Sequence, residues 1–153
     1  MKIKLLTIVF GLYVIGTTGQ ELTKQLTPID DKVKKGILLN FQRQETCWNK
    51  QDIDCFMEAY SKTNPVQAIS SKGIVYGYDR ILSNYKNKYY PDGTIGHLSF
   101  DQFNFRKLTR KLYFVVGRYN LKLEERDKLV QGWFSVIMKK EKGIWVILTD
   151  HST

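Results

Sequence analysis

Histidine is almost absent from these 153 residues: there are two, His97 and His151. Acid–base chemistry near neutral pH must therefore run through one of them or through a carboxyl group whose pKa burial has moved. Cysteine is as scarce, with Cys47 and Cys55 alone, and two thiols without matching histidines argue against a zinc site. Also missing are a glycine-rich phosphate loop, a Ser-His-Asp order and a metal-binding histidine pair. Nucleotide-dependent chemistry is disfavoured, and neither a metal nor a cofactor is expected. No internal repeat or low-complexity stretch interrupts the chain.

Acidic residues are the minority, 15 against 24 lysines and arginines, for a formal net charge of +9. A basic surface can attract nucleic acid or an anionic membrane. The lysines are scattered, with short clusters such as Lys32, Lys34, Lys35 and Lys139, Lys140, Lys142. No nucleic-acid-binding motif accompanies them, so solvated faces account for the charge and no nucleic-acid partner is expected.

The apolar run at the start, Leu5 to Ile15, is well short of the roughly 20 residues needed to cross a bilayer. It follows Lys2 and Lys4 and precedes Gly16-Thr17-Thr18-Gly19, which is the order of a signal peptide. Cleavage near Gly19-Gln20 removes residues 1–19 and leaves 20–153 as one domain. The product is expected to be soluble, periplasmic or secreted, without stable membrane insertion. No cysteine follows the run closely enough for a lipid-attached end.

Eight phenylalanines, nine tyrosines and three tryptophans supply much of a single core. Pro28 with Asp30 and Asp31 reads as a helix start. Ile29, Val33, Ile37, Phe41 and Trp48 then recur near helical spacing as a buried stripe, with Gly36 weakening the helix slightly. After the turn Asn49-Lys50-Gln51, Asp52 is an N-cap for a second helix through Tyr60, which makes a helix hairpin. Val66 to Ser71 and Gly73 to Tyr76 suggest a short strand pair. A third helix spans Tyr78 to Tyr89 on Ile81, Leu82, Tyr85 and Tyr89, and Pro91-Asp92-Gly93 stops it. Four runs rich in β-branched and aromatic residues follow: His97 to Lys107, Lys111 to Leu123, Leu129 to Lys140 and Ile144 to Thr149. Their separators, Thr109-Arg110, Glu125-Arg126-Asp127 and Glu141-Lys142-Gly143, are short, so antiparallel hairpins are the simplest arrangement. Helices first and a meander afterwards give an α+β fold.

Trp48-Asn49-Lys50-Gln51-Asp52-Ile53-Asp54, with Phe56 and Tyr60, resembles the helix-turn-helix opening of nuclear transport factor 2-like proteins. Gly132-Trp133-Phe134-Ser135-Val136-Ile137-Met138, Gly143-Ile144-Trp145-Val146-Ile147 and the ending Asp150-His151-Ser152-Thr153 resemble the closing hairpin of small members of that superfamily. Gly77 with Tyr78-Asp79-Arg80-Ile81 is similar to the start of their third helix, and Tyr90-Pro91 to the loop after it. The resemblance implies three helices against a curved, mostly antiparallel sheet that forms a cone-shaped pocket. It covers isomerases, polyketide cyclases, dehydratases, an assembly domain and non-catalytic transport factors, so it fixes no single function.

Within that fold the candidates for acid–base chemistry are His151, Asp150 and Asp101. Regular alternation on the last strand would put Trp145, Ile147, Thr149 and His151 on one face, and Val146, Leu148 and Asp150 on the other. Asp150 and His151 then cannot both enter a pocket, which favours a structural role for at least one of them. An isomerase-like route needs a carboxylate and a hydroxyl or protonated acid in an apolar pocket, for which Asp101 and Asp150 are the available acids. Each is otherwise a turn or edge carboxylate. His97 stands at a strand entry, where exposure is the default. Arg118, mid-strand, faces either solvent or the pocket. If inside, it would hold an anionic head group among Trp48, Tyr60 or Trp133, rings that otherwise fill the core. A disulfide between Cys47 and Cys55 would close a short loop and stabilise the helix hairpin, although helical neighbours at this spacing can miss the required geometry. The leading expectation is a non-catalytic pocket protein or assembly module that binds a small amphipathic or anionic molecule and forms a homodimer through the sheet. The alternative is a cofactor-independent isomerase, polyketide-cyclase-like enzyme or dehydratase.

Overall fold

In the computed structural model, which describes residues 29–89, 96–123 and 128–153, helices precede a meander of strands as the sequence predicts. The segment expected to be a signal peptide, residues 1–19, the segments Tyr90-Pro91 and Pro91-Asp92-Gly93, and Glu125-Arg126-Asp127 lie outside the described residues.

Helix α1 (Asp31–Asn49) starts at Asp30, whose carboxylate accepts the Val33 backbone N–H at 3.0 Å. This satisfies one of the donors that a helix start leaves open. Ile37, Phe41 and Trp48 are buried along one stripe. Gly36 costs the helix about 1 kcal/mol relative to alanine, but a Cβ there would sit 2.9 Å from Cδ1 of Trp145. The glycine therefore lets the helix approach the sheet closely.

Helix α2 (Ile53–Met57) is capped by Asp52, which accepts the Cys55 N–H at 2.9 Å. It is shorter than expected. Tyr60 leaves the helix and bridges Ile147 in parallel, with Ile147 N–H donating to Ala59 at 2.8 Å and Ser61 N–H donating to Ile147 at 3.0 Å. Cys47 and Cys55 are joined by a disulfide across the hairpin, with Cα atoms 5.5 Å apart.

Strands β1 (Gln67–Ser70) and β2 (Gly73–Tyr76) form the short pair, and α3 spans Tyr78–Tyr89. Strands β3 (His97–Lys107), β4 (Leu112–Leu123), β5 (Lys128–Glu141) and β6 (Ile144–Ser152) complete one six-stranded sheet in the order β2-β1-β6-β5-β4-β3. Every pairing is antiparallel except β1 with β6. The sheet is curved and unclosed, and the helices pack on one of its faces.

On the covered face, Tyr113 and Val115 of β4 and Phe134, Val136 and Met138 of β5 are buried, while their neighbours along each strand point away. Two irregularities break this alternation. In β3 the register against β4 shifts between Asp101 and Asn104, around Gln102 at φ 54°. In β6 the register shifts between the partners of Ile137 and Met138: Thr149 faces the first and Ile147 the second, so Leu148 has no partner. Such a bulge advances one strand by a residue and reverses which side its later side chains face.

Candidate functional site

The β6 bulge decides where the C-terminal carboxyl group goes. Ile147 points into the core opposite Met138. After Leu148 the phase reverses, so Asp150, opposite the buried Val136, is on that same covered face. The expected grouping of Trp145, Ile147, Thr149 and His151 is corrected accordingly, because it assumed an unbroken strand. Trp145, Ile147 and Asp150 share the covered face, while Thr149 and His151 turn outward.

Asp150 is half-buried as a residue, but its carboxyl group is enclosed by protein. Oδ2 accepts the Tyr60 hydroxyl at 2.7 Å, and Oδ1 accepts the Ser152 hydroxyl at 3.0 Å. Tyr60, 2% exposed, is held in place by the backbone bridge to β6 that ends α2 early. Desolvation raises the Asp150 pKa and outweighs the opposing stabilisation of the carboxylate by Tyr60, Ser152 and the charge on His151. The Tyr60 hydroxyl is pushed far above its ordinary value, first by burial and then by the Asp150 charge, with Tyr85 contributing through charge and a hydrogen bond.

Aromatic rings flank this polar couple. Phe56 lies 6.5 Å from Tyr60 and 5.2 Å from Tyr85, centroid to centroid, and Trp48 stands 5.3 Å from Phe56 and 6.3 Å from Tyr85. The Trp48 indole N–H donates to the Gly96 carbonyl at 3.1 Å, which fixes the ring. A second cluster of Phe41, Phe100, Phe103 and Phe134 fills the face beside β3, with centroid distances of 5.0–6.1 Å.

The remaining candidates occupy the other face. Arg118 and Asp101, cross-strand partners on β4 and β3, form a forked pair with Nε to Oδ1 and Nη2 to Oδ2 both at 2.9 Å. Asn120 adds a third donor to Asp101 at 3.2 Å. Hydrogen bonding from Arg118 lowers the Asp101 pKa, and the Arg118 pKa is raised in return. Trp133 is the partner of Arg118 across β4 and β5 and is 50% exposed. His151, opposite Ser135 on β5 and Ile69 on β1, is exposed. His97 is exposed at the start of β3.

The structure therefore brings Asp150, Tyr60 and Trp48 to one side of the sheet and leaves Asp101, Arg118, Trp133 and His151 on the other. Sequence reasoning did not single out Phe56, Tyr85 or Ser152 as members of the site. Tyr85 fell on the apolar stripe of α3, which reports burial and says nothing of its hydroxyl. Among the described residues no group of three or more His, Cys, Asp or Glu side chains is placed to hold a metal ion.

No protein-family model and no curated protein matches the sequence. Among solved structures, an NTF2-like protein of unknown function from Shewanella oneidensis MR-1 is 30% identical, with a TM-score of 0.71 over 78% of this chain and 98% of that one. The chain belongs to the NTF2-like family. Two more distant matches share the fold alone. Aln2 from a Streptomyces species is 9% identical, with a TM-score of 0.72 over 82% of this chain and 93% of its own. A type 2 hexachlorocyclohexane dehydrochlorinase, LinA, is 11% identical, with a TM-score of 0.62 over 79% and 84%.

Proposed function

We propose that this NTF2-like protein is an exported, homodimeric binder of a small amphipathic molecule, anchored at the Asp150–Tyr60 couple. The observation that carries this reading is a carboxyl group drawn onto the helix-covered face by a strand bulge and gripped there by a buried tyrosine beside an aromatic wall. Small-molecule sites have this composition: apolar and aromatic walls with a few polar groups that set orientation. A buried carboxyl group whose pKa desolvation raises carries less of its charge than an exposed one at the same pH, which favours a neutral hydroxyl or carbonyl group on the ligand over an anion. An anionic head group has less support, because Arg118 is engaged by Asp101 on the opposite face. Export is inferred from the basic start, apolar run and small residues at the beginning of the sequence.

The raised pKa of Asp150 supports a second reading, in which the same couple transfers a proton in a cofactor-independent isomerisation, cyclisation or elimination. LinA, a dehydrochlorinase on this fold, shows only that the scaffold accommodates such chemistry.

The test is native mass spectrometry of the purified chain, followed by titration of the co-purified compound against the parent protein, Asp150→Asn and Tyr60→Phe. Binding is expected to weaken by about 1–2 kcal/mol in each variant, the usual range for a lost or altered buried hydrogen bond. A bound compound whose affinity ignores both substitutions overturns the reading. Turnover of that compound, lost in Asp150→Asn while binding persists, selects the catalytic alternative.

A further inference from the structure

Segments far apart in sequence meet at one end of the sheet. The turn between β3 and β4 and the hairpin between β5 and β6 lie side by side there, with the Lys140 backbone N–H donating to the Lys111 carbonyl at 2.9 Å. The first half of α1 reaches the same end, where Gly36 packs on Trp145 next to the hairpin tip. The two turns carry Lys107, Arg110, Lys111, Lys140 and Lys142, and none of these forms an ion pair with a described carboxylate. Glu141, the acid among them, is occupied by Ser61, Thr63 and Asn64, which donate to it at 2.6–2.9 Å. Asp52, Asp54 and Glu58 stand around α2, at the far end of α1. The fold thus brings cations from two separate turns together at this pole.

Two large aliphatic side chains project from that pole. Leu108 is 47% exposed and Ile144 60% exposed, one on each turn. Cations flanking exposed aliphatic groups suit the boundary between phosphate headgroups and acyl chains. The pole is less suited to nucleic acid, which is gripped by grooves with stacking aromatic rings or hydrogen-bonding side chains that read bases. We infer that this end of the molecule docks on an anionic lipid bilayer, with Leu108 and Ile144 entering the interface and the exposed Lys107, Arg110, Lys111 and Lys142 facing the phosphates, while Lys140 lies over the Trp145 ring. This is peripheral adsorption: no helix among the described residues is long and apolar enough to cross a membrane.

The experiment is co-sedimentation of the full chain with vesicles of phosphatidylglycerol or of phosphatidylcholine at fixed salt. The readout is the ratio of the two affinities, which an apolar leading segment common to every variant does not change. The parent chain is expected to prefer phosphatidylglycerol, more weakly as salt rises. Lys107→Gln, Lys111→Gln and Lys142→Gln combined should lower that preference by about 100-fold, at roughly fivefold per cation. The matched set Lys50→Gln, Lys122→Gln and Lys128→Gln removes as much charge from the other end and should change it little. Leu108→Ser with Ile144→Ser should weaken binding to phosphatidylglycerol as well. A parent ratio near one, or equal losses in the two lysine sets, overturns the proposal. Tighter binding to duplex DNA than to vesicles, with no effect of the aliphatic substitutions, overturns it in favour of nucleic acid.

Discussion

At Asp150, two hydrogen bonds and a neighbouring histidine favour the charged form, yet desolvation outweighs them. The sign of the consequence follows from linkage. The native pKa lies above the unfolded value of about 3.9, so the native state holds this proton more tightly. Its contribution to stability is complete below the unfolded pKa and is lost as pH rises through the native one. Asp101 behaves oppositely: its pKa is lowered, chiefly by the hydrogen bond from Arg118, so its contribution is present above the unfolded pKa and is lost as pH falls through the native value. Thermal unfolding of Asp150→Asn and Asp101→Asn between pH 3 and pH 8 should therefore give opposite trends. Relative to the parent, Asp150→Asn is expected to gain in Tm as pH rises and Asp101→Asn to lose. Parallel trends would mean that the Asp150 carboxyl is hydrated and does not hold its proton.

At the scale of the elements, each local signal that read correctly had a local cause. The aspartate caps at Asp30 and Asp52, the stripe through Ile37 and Phe41, and the alternating aromatic and β-branched runs all belong to single segments. What the sequence left unread depends on a partner strand. Helix α2 stops at Met57 because residues 59–61 pair with Ile147 more than 80 positions later. The β6 bulge exists only in register with β5, and it is the bulge that puts Asp150 rather than His151 beside Tyr60. Gly117 is a further example, since its value lies in a neighbour on β5. A Cβ at Gly117 would collide with the ring edge of Phe134, which lies within the phenylalanine cluster. Gly117→Ala is expected to destabilise the protein by about 1–3 kcal/mol, the range for overpacking a filled core. Urea unfolding measures it. Phe134→Leu in the same chain removes the colliding edge, so the double variant should lose less than the two single losses together. Simple additivity would mean that the ring already has room to turn.

For the molecule as a whole, the sheet has one face under helices and one face without them, and the sequence could not assign Arg118 to either. The uncovered face carries Trp133 at half exposure beside the Arg118–Asp101 pair, with the partly buried Phe114, Val116 and Ile137 on the same side. An exposed tryptophan next to an arginine is the composition that concentrates binding energy at protein interfaces. A patch that holds both a carboxylate and a guanidinium can also complement a copy of itself about a two-fold axis. These features support the proposed homodimer through the sheet. Sedimentation velocity at micromolar concentration should then report twice the single-chain mass for the parent protein and the single-chain mass for Trp133→Asp. Because the side chain projects away from the covered core, the variant should keep the circular dichroism and unfolding midpoint of a folded chain. A parent protein that sediments as a single chain at every concentration sinks the dimer, and would leave Trp133 exposed for some other contact. A dimer that survives Trp133→Asp would place the interface elsewhere, with the short exposed edge strand β2 and its Ile74 and Tyr76 as the next surface to change.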